Sequence, residues 1–250
     1  MYTVETMSKI VEVNDLRVQF KSRVGGVFGH TVIKEVLHGV NFDIEEGQIV
    51  GLVGESGSGK STIAKAILSL IPYTGEIKTM EESYPSMIFQ DPYSSLNPSK
   101  KVGWLLEEAL YLDDVKDPAE RKKKASEMIN LVGLSDEYLS RYPRELSGGQ
   151  RQRVCIALSL MQEPKLLIAD EPVSALDVTI QAQILELLKN LQKTLGLSIL
   201  FISHDLRVVY NLCDKVMILK DGEIVEQGAP KEVYANPQNA YTKELLYSLN

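Results

Sequence analysis

Cysteine is scarce in these 250 residues, with Cys155 and Cys213 as the whole supply. Two isolated thiols form neither a zinc pattern nor a disulfide framework, which fits a reducing cytoplasmic setting. Long apolar runs are missing too. The longest stretch without Asp, Glu, Lys or Arg is Thr194–His204, 11 residues, whereas a membrane-spanning helix needs ~20 mostly apolar residues. The chain is not expected to cross a bilayer by itself. Its first residues, MYTVETMSKIVEVNDL, contain no apolar signal core, which argues against export. There is no excess of positive charge either. Lys and Arg number 27 against 34 Asp and Glu, a formal net charge of −7, so nucleic acid is not the expected partner. What remains is ordinary for a globular protein: 44% hydrophobic and 24% charged residues. That is enough to bury a core in one large domain, or in one domain with an insertion. There is no internal repeat and no low-complexity tract.

Strand and helix signals alternate along the chain. Ile10–Phe20 alternates loosely and is rich in Val and Ile, so it reads as a strand, and Val24–His30 reads as a glycine-rich loop. Val36–Ile44 alternates again and is closed by the Glu45-Glu46-Gly47 turn. Gln48–Val53 is a short continuous apolar run, the pattern of a strand buried on both faces of a mostly parallel sheet. Ser61–Leu70 follows as a helix and Ser86–Phe89 as a short strand. Asp91–Ser99 reads as a loop, and Gly103–Tyr111 and Ala119–Val132 have helical spacing. Residues 91–145 are therefore expected to be a helical subdomain inserted into an α/β core. Gly148–Gln162 and Thr179–Leu195 read as helices. Lys165–Ala169, Leu197–Ile202, Lys215–Leu219 and Glu223–Glu226 read as strands. This order predicts a doubly wound α/β domain over residues 1–250, with 228–250 as a short tail.

One segment carries phosphate chemistry. Gly54-Glu55-Ser56-Gly57-Ser58-Gly59-Lys60-Ser61, followed by Thr62, is a complete G-x-x-x-x-G-K-[ST] loop between a buried strand and a helix. Glycines 54, 57 and 59 permit backbone conformations closed to other residues. Successive N–H groups can then point inward at an anion, helped by the positive end of the helix that starts near Lys60. Lys60 is placed for the β- and γ-phosphates, and the Ser61 hydroxyl for Mg²⁺. A second segment, Leu166–Glu171, puts two acids at the carboxyl end of a buried strand, where ligands bind in open α/β sheets. Asp170 is the candidate for the Mg²⁺ shell. Glu171 is the candidate to orient or deprotonate an attacking water.

Such a loop alone leaves kinase, GTPase and ATPase open. Leu146-Ser147-Gly148-Gly149-Gln150 narrows the choice, because here the chain resembles the ATP-binding subunit of an ABC transporter, in motif order and across almost its whole length. The resemblance implies an ABC ATPase fold: a P-loop core, an antiparallel β subdomain and an inserted helical subdomain. It implies ATP and Mg²⁺ as cofactors. It makes Ser147–Gln150 the signature that meets ATP bound to a second ATPase subunit, identical or related, in a head-to-tail dimer. It makes Gln90, in Phe89-Gln90-Asp91-Pro92, a ligand of Mg²⁺ or water and a sensor of the γ-phosphate. Asp177 falls in its D-loop and His204 is its switch histidine, placed to hydrogen-bond the γ-phosphate. An aromatic residue stacks on adenine in that family. Phe28 is the candidate here, with Phe20 and His30 as rivals.

Three stretches resemble the peptide and nickel importers within the family: Phe89–Pro98, Arg141–Arg153 and Tyr241–Leu246. That resemblance implies two transmembrane permease subunits as partners. An extracellular or periplasmic solute-binding protein would act indirectly, and the chain would sit at the cytoplasmic face of the membrane. The cargo stays open between peptides and nickel or metal chelates, and no iron–sulfur centre is expected. The helical insertion is the expected docking region. Trp104, Leu105, Leu106, Leu110 and Leu112 could form part of a groove wall, although most read as the insertion's own core. Lys122, Lys123 and Lys124 read as a solvated helix face. The competing reading is a soluble ABC-type ATPase uncoupled from transport, for example in iron–sulfur cluster assembly.

Overall fold

Apolar alternation builds the first sheet. The computed structural model describes residues 8–24, 30–80 and 84–247, and the chain divides into two units, residues 1–83 with 198–250 and residues 84–197. In the first unit, β1 (Lys9–Val24) pairs antiparallel with β2 (His30–Glu45). Val11, Val13, Leu16 and Val18 face Ile44, Phe42, Val40 and Leu37 across the pair, and all eight are buried. These cross-strand apolar pairs set the register. β4 (Thr74–Thr79) adds to the other edge of β1. Nothing in its sequence announces it. Five of its six residues are exposed, so no buried face imposes a period-2 pattern.

β3 (Ile49–Val53) is buried at all five positions because it has strands on both sides. It pairs in parallel with β7 (Ser198–Ser203) and with β8 (Lys215–Lys220). β9 (Glu223–Gly228) closes that edge antiparallel to β8. Helices α1 (Lys60–Ile67), α7 (Leu206–Leu212), α8 (Pro230–Ala235) and α9 (Ala240–Tyr247) belong to this unit. The last two lie in 228–250, which reads from sequence as a short tail.

In the second unit, β5 (Ser86–Ile88) and β6 (Leu166–Asp170) form a parallel pair. Between residues 91 and 145 every regular element is helical: α2 (Pro92–Ser95), α3 (Val102–Leu112), α4 (Pro118–Leu131) and two 3₁₀ turns. α2 falls where the sequence suggests only a loop. Asp91 caps it, accepting the Tyr93 N–H at 2.9 Å, with Pro92 at the first helical position. Leu106, Leu110, Ala125 and Ile129 close the α3–α4 interface. Leu105 is buried as well, whereas Trp104 and Leu112 face solvent. α5 (Gly148–Leu160) and α6 (Val178–Leu195) complete the unit. α6 buries Ile184, Leu188 and Leu191 at helical spacing and ends at left-handed Gly196. The class is therefore α/β, with an antiparallel β part and an inserted helical part. Among the described residues no helix is long and apolar enough to cross a membrane.

Candidate active site

Backbone conformation shapes the phosphate loop of the first unit. The chain leaves β3 at Val53 and enters α1 at Lys60, with Gly57 at φ 84° and Gly59 at φ 112°. Side-chain residues rarely adopt these values. Gly54 is a glycine for a different reason. Its φ is not positive, but a Cβ there would collide with the backbone oxygen of Leu219. The start of α1 has no side-chain cap. Lys60 is buried, and its ammonium donates to the Gly54 and Glu55 carbonyls at 2.8 and 2.9 Å. Ser58 is buried too, and its hydroxyl has no hydrogen-bond partner among the described residues. Helix N–H donors, an ammonium group and an orphaned hydroxyl converge on one loop, so the residues present fit an anion. Ser61 and Thr62 occupy the first turn of α1, while Glu55 and Ser56 are exposed. His204 is exposed immediately after β7, and Asp205 caps α7 by accepting the Arg207 N–H at 2.9 Å.

The second unit holds the acids. Asp170 ends β6 and is buried. Glu171 follows at φ 46°, a left-handed value that costs a non-glycine residue of order 1–3 kcal/mol. A turn in which Glu171's carbonyl accepts from the Ser174 N–H and hydroxyl stabilises that geometry. The Gln90 amide donates to the Glu171 carboxylate at 3.1 Å. Two residues 81 positions apart are thus brought together.

The Ser147–Gln150 segment opens α5 with a reciprocal cap. The Gln150 N–H donates to the Ser147 hydroxyl at 3.3 Å, and the Ser147 N–H donates to Gln150 Oε1 at 2.9 Å. The Gln150 amide also donates to the Tyr138 hydroxyl at 3.0 Å. A Cβ on Gly149 would lie 2.6 Å from Ile180 Cγ2, so this glycine lets α5 approach the start of α6. Asp177 is not drawn into the Gln90–Glu171 pair. Its carboxylate caps α6, accepting the Ile180 N–H at 3.0 Å.

Sequence reasoning missed two residues beside these motifs. Arg151 is buried and donates to the Pro143 and Leu146 carbonyls, while its guanidinium lies 3.6 Å from the Tyr93 ring centroid. It ties the turn before the signature to the segment after Gln90. Tyr241 accepts the Glu55 N–H at 3.2 Å. A charged residue inside a helix and a tyrosine near the end of the chain give no local hint of such partners. Of the adenine candidates, Phe28 lies outside the described residues, as does the His30 side chain. Phe20, on β1, is 43% exposed.

In the first unit a glycine loop between β3 and α1 holds Lys60 on its own carbonyls, and in the second a buried Asp170 ends β6 and is followed by Glu171, bonded to Gln90. The profile of the ABC transporter family matches residues 37–174, more than half of the chain. The chain is 42% identical to the oligopeptide transport ATP-binding protein OppD of Bacillus subtilis, over 97% of this chain and 72% of that protein. It is 44% identical to the dipeptide transport ATP-binding protein DppF of Haemophilus influenzae, over 88% and 72%. Among solved structures, cbiO1 from Clostridium perfringens, part of the cbiONQ transporter complex, matches with TM-score 0.76 and 29% identity over 97% of this chain and 94% of that one. The dimeric cassette MJ0796 bound to ADP and Pi matches with TM-score 0.73 and 28% identity over 88% and 98%. The chain belongs to the ABC transporter family, as one of its ATP-binding subunits, ATPases coupled to transport.

Proposed function

We propose that this chain powers a membrane importer of short peptides, from the cytoplasmic face of the membrane. The peptide reading is supported by the relatives named for oligopeptide and dipeptide transport. ATP phosphates sit on residues 54–62, where Lys60 exchanges its loop carbonyls for the β- and γ-phosphates. Ser61 offers a hydroxyl in the first unit, and Asp170 and Gln90 offer a carboxylate and an amide oxygen in the second, each a hard oxygen donor that suits magnesium. Magnesium, when bound, offsets charge on the phosphate chain. Glu171 takes the proton of the water that attacks the γ-phosphorus, and ADP leaves. Its bond to Gln90 holds the carboxylate ready. His204 donates to the γ-phosphate, and an aromatic side chain stacks on adenine, with Phe28 the candidate and Phe20 and His30 its rivals.

Ser147, Gly148, Gly149 and Gln150 open α5 toward ATP held by a second ATPase subunit, with Asp177 capping α6. The similarity to a dimeric cassette supports that arrangement. Two membrane-embedded permease subunits receive the closing motion, and an external solute-binding protein delivers the cargo to them.

The observation that carries the coupling is a groove of about 430 Å³ in the second unit, lined by β5, Phe89, Ser95, Asn97, residues of α3 that include Leu112, and residues of α5. Its wall is mostly apolar, and the residue after Phe89 is Gln90. A partner helix seated there would press on the segment that holds Glu171. Affinity purification from detergent-extracted native membranes tests this. A polytopic partner should be recovered, and Leu112→Glu should abolish its recovery while basal ATP hydrolysis stays unchanged. Recovery of soluble proteins alone would overturn the importer reading.

A further inference from the structure

The segment Tyr241–Leu246 has so far only classified the chain. In the structure it reaches the phosphate loop. α9 is anchored from below. The Glu226 carboxylate accepts the Gln238 and Asn239 N–H groups at 2.8 and 3.0 Å, and Asn239 Oδ1 accepts the Tyr241 N–H at 2.9 Å. Thr242 is fully buried and Tyr241 nearly so. The Lys220 ammonium sits 4.5 Å from the Tyr241 ring centroid. The neighbouring β8–β9 turn bonds the loop as well, through Gly222 N–H to Ser58 O at 3.0 Å.

Tyr241 thereby grips a particular peptide unit. In a trans amide the C=O and N–H point in opposite directions. The Gly54 carbonyl accepts from Lys60 at 2.8 Å, and the Glu55 N–H of the same peptide donates to Tyr241 Oη at 3.2 Å. Lysine holds one end and tyrosine the other, so this peptide cannot turn over without breaking both bonds. Burial raises the Tyr241 phenol above its ordinary range, and the Glu55 carboxylate adds to that, so the hydroxyl stays protonated at neutral pH.

We propose that Tyr241 is a positioning residue for nucleotide binding: its hydroxyl locks the Gly54–Glu55 peptide and keeps the phosphate loop in its binding shape. It acts through the loop, by lowering its ordering cost when phosphate arrives. The role rests on residues 54–62 being the phosphate site.

Tyr241→Phe removes the hydroxyl and keeps the ring on Lys220. Affinity for ADP with magnesium, measured by calorimetry, should fall roughly three- to tenfold, the loss expected for one hydrogen bond. KM for ATP should rise in step, with kcat within about twofold and the unfolding temperature unchanged. Hydrogen exchange at the Glu55 amide should quicken. Asn239→Ala should weaken ADP binding in the parent chain and add little in the Tyr241→Phe background. Unchanged ADP affinity together with unchanged Glu55 exchange would overturn the role. A parallel fall in kcat, affinity and unfolding temperature would also overturn it, since Tyr241 would then be a packing residue. If the parent chain itself binds no nucleotide, the phosphate-site reading fails first and the positioning role goes with it; Glu55 exchange then still reports whether the bond exists.

Discussion

Two helices in this chain begin at glycines beside an expected nucleotide, and they begin differently. α1 starts at left-handed Gly59 with no side-chain cap. α5 starts at Ser147 with a reciprocal Ser147–Gln150 cap. The first start carries no side-chain cap, and Lys60 is held nearby on loop carbonyls it can exchange. The second satisfies part of its own start and uses its glycines for clearance against α6 as much as for N–H donation. The first suits an anion held by the loop itself. The other is a stiff, partly self-capped surface suited to meeting a ligand that a partner already holds. Helix termini are thus not equivalent anion sites, because side-chain caps compete for the same donors.

The contrast can be broken most directly at Lys60. Lys60→Ala removes the ammonium placed on the loop carbonyls, and ATP hydrolysis should fall at least ~100-fold in a steady-state assay. A rate within twofold of the parent would mean that the loop is not the phosphate grip. At the second helix, Gly149→Ala drives a methyl group into Ile180 Cγ2, 2.6 Å away. We expect a loss of about 1–3 kcal/mol in denaturant unfolding and weaker hydrolysis. Ile180→Ala in the same chain should recover part of both. Recovery of neither would mean that Gly149 serves N–H donation rather than clearance. Ser147→Ala is the mildest change. Losing the cap should cost about 1 kcal/mol, read as a fall of roughly 2–4 °C in unfolding temperature for a chain of this size. No shift at all would show that the cap on α5 is not structural.

How much of this was readable beforehand varies with how local the physics is. The loop 54–61, its flanking strand and helix, and the acids after Leu166 declare themselves, because glycine, lysine and burial act within a few residues. β4 did not, since an exposed edge strand has no buried face to impose a pattern. α2 was hidden in a Pro-Ser-rich stretch, although Asp91 followed by Pro92 is a legible cap. Asp177 reads from the family resemblance as a D-loop residue, and its capping of α6 emerges only with Ile180 in place. The Gln90–Glu171 bond and the carbonyls held by Arg151 depend on chain segments that meet only after folding.

The amino-acid order by itself determined the family, the glycine-rich loop 54–61, the acids after Leu166 and the absence of a long apolar span. Each of these is written in short strings whose chemistry is complete locally. Tertiary structure alone decided why Gly54 and Gly149 must be glycines, where Lys60 is stored, and that Tyr241 holds Glu55 across 186 positions. Such approaches are set by packing and hydrogen-bond satisfaction between distant segments, and spacing along a chain does not encode them.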